Sequence, residues 1–310
     1  MSEMSCSGVS LENMRVGVVG AGLMGASIAG VFAGAGARVV LFDPVEPARK
    51  SAIPRIRRQL SDRGCDVEAA SRIELTADMA RFADRIDLMV EAAPEELDLK
   101  HRIFSELENI NSTAVLATNT SSLRVAEISS VLASPHRMVG MHWFNPPHLV
   151  PLVEVIAGTA SEGCVEWVME VLKSVGKVPV RVNHDQAGFI ANRLQVALWR
   201  EAFHLVESGV CDAESLDAVV RNSFGPRLAV MGPMENADYI GLDLVTNIHR
   251  AIYPHLCAAE QPATVLTERV DTRRLGAKTG AGFTEWPEGR YERATARLTE
   301  HLLKTFSPSR

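Results

Sequence analysis

The sequence predicts an α/β chain in two parts, a doubly wound parallel sheet followed by an all-α domain. Three observations carry this. Short apolar runs alternate with helical patterns as far as Val182. A glycine loop, Gly20-Ala21-Gly22-Leu23-Met24-Gly25, joins the first run to an alanine-rich helix. From Gly188 the strand patterns stop and helical spacing continues toward the C-terminus.

The predicted strands are Arg15–Val19, Arg38–Phe42, Ile73–Thr76, Ile86–Ala92, Val115–Asn119 and Met138–Phe144, followed by Leu152–Ile156 and Val178–Val182. They are short and apolar throughout, as strands covered on both faces are. Helical patterns fall between them at Glu95–Glu108, Arg124–Leu132 and Cys164–Val175. This is the βαβ rhythm of a Rossmann-type sheet with added strands. Phe189–Glu207 reads as one long helix, and Ala213–Asn222 and Leu242–Ile252 follow. Tyr291–Phe306 spaces Leu298, Leu302, Leu303 and Phe306 helically, which predicts packing on its own subunit. The expected domains are 1–185, binding a dinucleotide, and 186–310, helical and serving substrate and dimerisation.

Composition bounds the function. The 310 residues are 46% hydrophobic and 23% charged, values of a soluble globular protein large enough for two domains. A net charge of −6 argues against nucleic acid or an anionic membrane as partner. Cys6, Cys65, Cys164, Cys211 and Cys257 are odd in number and widely spaced, which reads as reduced thiols in the cytoplasm. The nine histidines show no HxxxH or HxxEH spacing, so no metal site is expected. The first 13 residues lack the pattern of a signal peptide. Val18–Ala37 is uncharged and carries a GxxxG at Gly30 and Gly34, but its place after a strand favours a buried βα unit over a membrane span.

Glycines between a strand and a helix, with Asp43 at the end of the next strand, make a dinucleotide fingerprint. Gly20 permits the turn, Gly22 lets a diphosphate approach the backbone, and Gly25 lets helix and strand pack closely. The free N–H groups at the helix start, including Leu23 and Met24, then face the phosphates. Asp43 is expected to accept hydrogen bonds from the adenosine ribose and to favour NAD over NADP, although Arg49 and Lys50 lie nearby.

Hydride transfer from an alcohol requires a base for the hydroxyl proton, and histidine suits that task near neutral pH. A carboxylate partner fixes the imidazole tautomer. Gly140-Met-His142-Trp-Phe-Asn145-Pro-Pro-His148-Leu-Val-Pro-Leu-Val-Glu154 offers such a pair in His142 and Glu154, with His148 as a competing base.

Asn119-Thr-Ser121-Ser-Leu, His142-Trp-Phe-Asn145-Pro, Leu152-Val-Glu154-Val-Ile, Gly188-Phe-Ile-Ala-Asn192-Arg-Leu and Gly276-Ala-Lys278-Thr-Gly-Ala-Gly-Phe, in this order, resemble the L-3-hydroxyacyl-CoA dehydrogenase family from Arg15 to about Trp286. The resemblance implies that His142 is the catalytic base and that Glu154 orients it. It implies that Ser121 and Asn192 bind the substrate oxygen, and Asn145 is expected to bind substrate as well. It also implies cofactor contacts at Ala92, Glu95, Lys100 and Asn119. Glu95 and Lys100 read equally well as a solvated helix pair.

The substrate remains open at this stage. Pro146-Pro147, Pro151, the segment Gly225-Pro-Arg227-Leu-Ala-Val230 and a short stretch between Asp43 and Ile73 resemble the branch with L-gulonate 3-dehydrogenase and lambda-crystallin, and the His142–Pro151 segment is similar to a pyridine-carboxylate dehydrogenase. These point to a small free hydroxy acid, with Arg227 as carboxylate clamp. The basic cluster Arg49, Lys50, Arg55, Arg57, Arg58 and Arg63 points instead to a CoA phosphate, as in a 3-hydroxybutyryl-CoA dehydrogenase proper, or to a solvated helix face. The expected enzyme uses NAD to oxidise a secondary 3-hydroxyl reversibly to a ketone, with substrate between the domains and a homodimer formed through the helical domain. A non-catalytic NAD(H) sensor or a crystallin-like structural protein is the reading from another class.

Overall fold

A computed structural model describes residues 10–306. Two compact units form: the chain up to Asn192 together with the segment from Thr299, and Arg193–Leu298. The sequence places the boundary at 185/186, whereas the structure divides within the first turn of a helix.

The first unit holds an eight-stranded sheet. Its strands are β1 (Arg15–Val19), β2 (Arg38–Phe42), β3 (Ile73–Thr76), β4 (Leu88–Glu91), β5 (Val115–Thr118), β6 (Met138–Trp143), β7 (Leu152–Ile156) and β8 (Val178–Val182), in the order β3-β2-β1-β4-β5-β6-β7-β8. Strands β1 to β6 pair in parallel. Strand β7 is antiparallel to β6, and β8 is parallel to β7. The 3-2-1-4-5-6 portion reverses its winding at β1 and β4, the switch point where such sheets bind ligands.

Helices α1 (Leu23–Gly34), α2 (Glu46–Asp62), α3 (Met79–Ala83), α4 (Leu97–Ile110), α5 (Val125–Ser129) and α6 (Glu162–Ser174) connect the strands. Residues of α1, α2 and α6 share one buried cluster with the sheet, and residues of α3, α4 and α5 share another. The sheet is thus covered on both faces, which is why its strands read as unbroken apolar runs. Every residue from Gly25 to Ala33 is buried. A Cβ at Gly30 would meet Ile56 at 3.1 Å and one at Gly34 would meet Leu60 at 2.9 Å, so the GxxxG face packs on α2. No helix among the described residues is long and apolar enough to cross a membrane.

Then come α7 (Ala191–Glu207), α8 (Ala213–Asn222), α9 (Gly225–Leu228), α10 (Pro233–Ile240), α11 (Leu242–Ile252), α12 (Thr264–Asp271) and α13 (Arg290–Phe306). None of these seven contains a buried residue. The expectation that the last helix packs through its leucines is corrected in part: Leu298 and Phe306 are exposed. Helical spacing identifies an apolar face but not what covers it.

Gly25 is the tightest point. A Cβ there would lie 1.9 Å from the Gly20 carbonyl oxygen, a backbone atom that cannot step aside. Gly25→Ala is expected to cost about 3 kcal/mol in urea unfolding and to weaken NADH binding; a variant as stable as the parent would show that the β1–α1 junction yields.

Candidate active site

The strand ends bring the site together. Gly20 has φ +99°, and a Cβ on it would meet the Ala92 carbonyl at 2.7 Å, so the loop after β1 turns and touches the end of β4 at the switch point. Nothing lies within 4 Å of where a Gly22 Cβ would stand, and no side chain caps the N-terminus of α1. Open space over Gly22 beside uncapped N–H groups fits the diphosphate of a dinucleotide. Asp43 is nearly buried. Its Oδ2 accepts from Ala21 N (2.7 Å) and its Oδ1 from Val45 N (2.8 Å), which locks the loop and leaves carboxylate lone pairs for a ribose.

Glu91 and Lys100 form a buried ion pair, 0% and 1% exposed, with Lys100 Nζ 2.7 and 2.9 Å from the carboxylate oxygens. Thr118 Oγ1 and Ala93 N also donate to Glu91. Lys100 is therefore no part of a solvated helix pair: the ammonium joins α4 to β4 and, at 3.3 Å, to Glu95. Glu95 Oε1 in turn accepts from Thr120 Oγ1 (2.7 Å), Ser121 N (2.8 Å) and Ser122 N (2.9 Å). Burial by itself would raise the Glu95 carboxyl, but Thr120, the Ser122 and Ser121 N–H groups and Lys100 outweigh it and hold it down at about 2. Glu95 thus shapes the loop that carries Ser121. Asn119 accepts from Trp143 N at 2.9 Å through its side-chain oxygen, joining β5 to β6.

His142 and Glu154 face each other across the antiparallel β6–β7 pair, where directly opposed residues share a face. His142 Nδ1 lies 2.8 Å from Glu154 Oε2, with both residues buried. Glu154 Oε1 accepts from Ile190 N (3.0 Å) and Ala191 N (2.9 Å) at the start of α7. Burial raises the Glu154 carboxyl, yet the hydrogen bonds of His142, Ala191 and Ile190 hold it below its ordinary value. An ionised Glu154 draws the imidazole N–H to Nδ1 and leaves Nε2 as the acceptor. No hydrogen bond to Nε2 is made among the described residues. Phe144 and Phe189 rings flank the imidazole at 4.5 and 5.4 Å. Phe189 is fully buried with φ +48°, a left-handed turn that aims the next two N–H groups at Glu154. Asn192 Nδ2 donates to Ser121 O at 3.3 Å, so these two meet beside the pair.

The remaining expected residues are placed as follows. His148, the competing base, is not paired with Glu154; its Nδ1 lies 3.2 Å from Ser27 Oγ and its Nε2 3.9 Å from Asp62. Asn145 is exposed on the segment after β6. The basic cluster is dispersed. Arg55 donates to Gly22 O (2.9 Å), Arg49 to Asp43 O, and Lys50 pairs with Glu46 and Arg57 with Glu68. Arg227 is exposed in the second unit, with no ion pair among the described residues, beside a cavity of about 520 Å³ that Val230, Met231, Asn236, Tyr239 and Ile240 also line. Among the described residues no His, Cys, Asp and Glu cluster could hold a metal. Cys65, Cys164, Cys211 and Cys257 are free thiols, and Cys6 lies outside the described residues, as do the first nine residues of the segment read for a signal peptide. Sequence reading missed Phe189, whose signal was an aromatic residue directly after Gly188 at the start of a helix.

Fold, glycine loop and sheet order define a dinucleotide-binding α/β protein, and comparison with known proteins specifies which. The NAD binding domain of 3-hydroxyacyl-CoA dehydrogenase matches residues 15–186, and the C-terminal domain of that enzyme matches residues 188–286. The chain belongs to the 3-hydroxyacyl-CoA dehydrogenase family. It is 34% identical over 287 residues to 5-formyl-3-hydroxy-2-methylpyridine 4-carboxylate 5-dehydrogenase of Mesorhizobium japonicum, covering 88% of this chain and 91% of that one. It is also 34% identical over 289 residues to a probable 3-hydroxybutyryl-CoA dehydrogenase of Bacillus subtilis, covering 90% and 99%. A crystal structure of the former kind of enzyme, described as an NAD+ dependent dismutase, superimposes with a TM-score of 0.88 at 30% identity, covering 94% of this chain and 96% of that one.

Glu95→Ala is expected to free the Ser121 and Ser122 N–H groups and cost about 1–3 kcal/mol in urea unfolding. In the parent, a carboxyl depressed in the folded state stabilises fully above its ordinary value of 4.5 and loses that effect as pH falls toward 2. The difference between parent and variant should therefore shrink below pH 4.5, and a constant difference down to pH 2 would refute this role.

Proposed function

We propose that the protein oxidises a secondary 3-hydroxyl of a small carboxylate-bearing compound, with His142 as general base and Glu154 as its orienting partner. The observation that carries this is the buried 2.8 Å bond from His142 Nδ1 to Glu154, which leaves Nε2 free to accept a proton. Gly20, Gly22 and Gly25 would hold the oxidised nicotinamide cofactor, which would supply the hydride acceptor. His142 Nε2 takes the hydroxyl proton as the carbinol hydride departs, and the C–O bond becomes a carbonyl. Glu154 stays ionised and stabilises the imidazolium. Ser121 and Asn192, already in contact through Asn192 Nδ2, hold the substrate oxygen, and Asn145 lies on the adjoining segment. Asp43 holds the adenosine ribose. Lys100 and Glu95 act on the cofactor side through the Ser121 loop, which Glu95 holds in place, and Ala92 and Asn119 contact the cofactor beside them.

A free acid is favoured over a CoA ester on two grounds. Four of the six basic residues that would serve a CoA phosphate are engaged with protein partners: Arg49, Lys50, Arg55 and Arg57. The likeness at TM-score 0.88 is to an enzyme whose name carries a free pyridine carboxylate. Arg227 is the proposed clamp, since its planar fork matches a carboxylate. The 34% identity to the B. subtilis relative keeps a short 3-hydroxyacyl-CoA as the second reading.

The unburied helices α7 to α13 support a homodimer formed through the helical unit. Leu194, Trp199, Leu242, Leu244 and Ile252 are among their exposed apolar residues, and a second copy would cover them. Free thiols at the described cysteines fit the cytoplasm. Light scattering that returned a monomer mass would refute the dimer.

A screen of NADH formation should include gulonate, carnitine, a formyl- or hydroxy-substituted pyridine carboxylate, 3-hydroxybutyrate and 3-hydroxybutyryl-CoA. Turnover on a free acid, with KM raised at least tenfold in Arg227→Ala, supports the reading. Turnover on the CoA ester alone selects the second reading, and NADH binding with no turnover on any of them selects the non-catalytic sensor. His142→Ala should lower kcat at least a thousandfold and keep NADH affinity. Glu154→Gln should lower kcat and shift its pH profile; an unchanged profile would remove Glu154 from the mechanism.

A further inference from the structure

The segment that joins the two site strands, Asn145-Pro146-Pro147-His148-Leu149-Val150-Pro151, is short of donors. Three of its seven residues are prolines, which offer carbonyls but no N–H. Within it, Leu149 N and Val150 N both donate to Pro146 O, at 3.0 and 3.1 Å. The carbonyls of Pro147 and Val150 are met from outside by one side chain. Lys177, between α6 and β8, donates through Nζ to Pro147 O at 2.5 Å and to Val150 O at 2.8 Å. The same ammonium stands 5.3 Å from the centroid of the Trp143 ring, and Trp143 directly follows His142. Lys177 is 6% exposed and has no carboxylate within ion-pair distance among the described residues.

A buried ammonium with no counter-ion is costly, and a methionine would fill the same volume without that cost. What Lys177 does that an apolar residue cannot is hold both carbonyls at once. The backbone bond from Val178 N to Pro151 O (2.9 Å) fixes the end of the segment to β8 as well. The charged groups facing this cluster are Arg63 from the end of α2 and Asp62, which lies 3.9 Å from His148 Nε2. His148, on the segment itself, is bonded to Ser27 of α1.

We propose that Lys177 is a positioning residue of the active site: its bonds to the Pro147 and Val150 carbonyls set the segment that carries Asn145 and links His142 to Glu154. This rests on the assignment of His142 and Glu154 made above. The clamp is strongest when Lys177 is an ammonium, because a charged donor makes the stronger bonds and only the cation is drawn to the ring face. Burial, with a smaller push from Arg63, lowers the Lys177 amine to about 7, so the clamp loosens as pH rises through neutrality. Burial pushes His148 down to about 4, so it stays neutral over that interval and does not titrate with it.

Two measurements decide the matter. In the unmodified protein, hydrogen exchange of the Leu149 and Val150 amides, corrected for intrinsic rates, should show protection that falls at least fivefold between pH 6 and pH 9. In Lys177→Met, protection should be low throughout that range. The variant's kcat/KM for the hydroxy substrate should drop at least tenfold at pH 6.5, while NADH affinity stays within twofold. Flat protection from pH 6 to pH 9 in the unmodified protein overturns the proposal whether or not the variant folds, and so does a variant with unchanged kcat/KM. The exchange readout does not depend on which residue is the base. The same pH dependence in His142→Ala would uphold Lys177 even if the His142 assignment failed.

Discussion

The Glu154 carboxylate is the interaction on which the site depends. A buried negative charge must be met by donors, and three meet this one: the His142 imidazole and the backbone N–H groups of Ile190 and Ala191. Those three contacts tie β6, β7 and the start of α7 to one atom group. They also set the tautomer of His142, because the acceptor 2.8 Å from Nδ1 is an ionised oxygen. The left-handed Phe189 serves the same end, since it turns the next two N–H groups inward while its ring fills the space beside the imidazole.

The same device recurs at the other strand ends. Asp43 directly follows β2, caps the glycine loop through Ala21 and holds its own turn through Val45. Glu91 ends β4 and holds Ala93, Thr118 and Lys100. Glu95 follows and gathers the Ser121 loop. Loops at the carboxyl edge of a parallel sheet have backbone donors and no ladder to satisfy them. A carboxylate meets two or three such donors at once, with stronger bonds than a neutral acceptor makes. In the segment after β6 the deficit is reversed, because its prolines leave carbonyls over. A cation, Lys177, fills that place.

Much of this was legible in the chain. Five of the eight strands, β1, β2, β3, β7 and β8, begin and end where the apolar runs do. Three, β4, β5 and β6, end a residue earlier, and β4 also starts later, because ladder bonds stop before the sequence pattern does. The glycine loop, Asp43, His142 and Glu154 stood out because each belongs to a local pattern. What did not show were pairings between distant residues. Glu95 and Ser121 are 26 positions apart, and Lys177 lies 27 from Val150. A lysine and a glutamate five apart on a helix read as a surface pair until the fold buries one of them. In the basic cluster of α2, Arg49 and Arg55 turn to the carbonyls of Asp43 and Gly22, while Lys50 and Arg57 stay exposed in surface pairs, as on a solvated helix face.

By itself the sequence determined the class of fold and the dinucleotide loop, and it offered His142 with Glu154 while leaving His148 as a competing base, because periodicity, glycine placement and motif spacing are local properties that survive without coordinates. Only the tertiary structure decided which partner each charged side chain takes. That choice depends on burial, since removing a charge from water makes its nearest donors obligatory, and burial exists only once the sheet has brought its strand ends together.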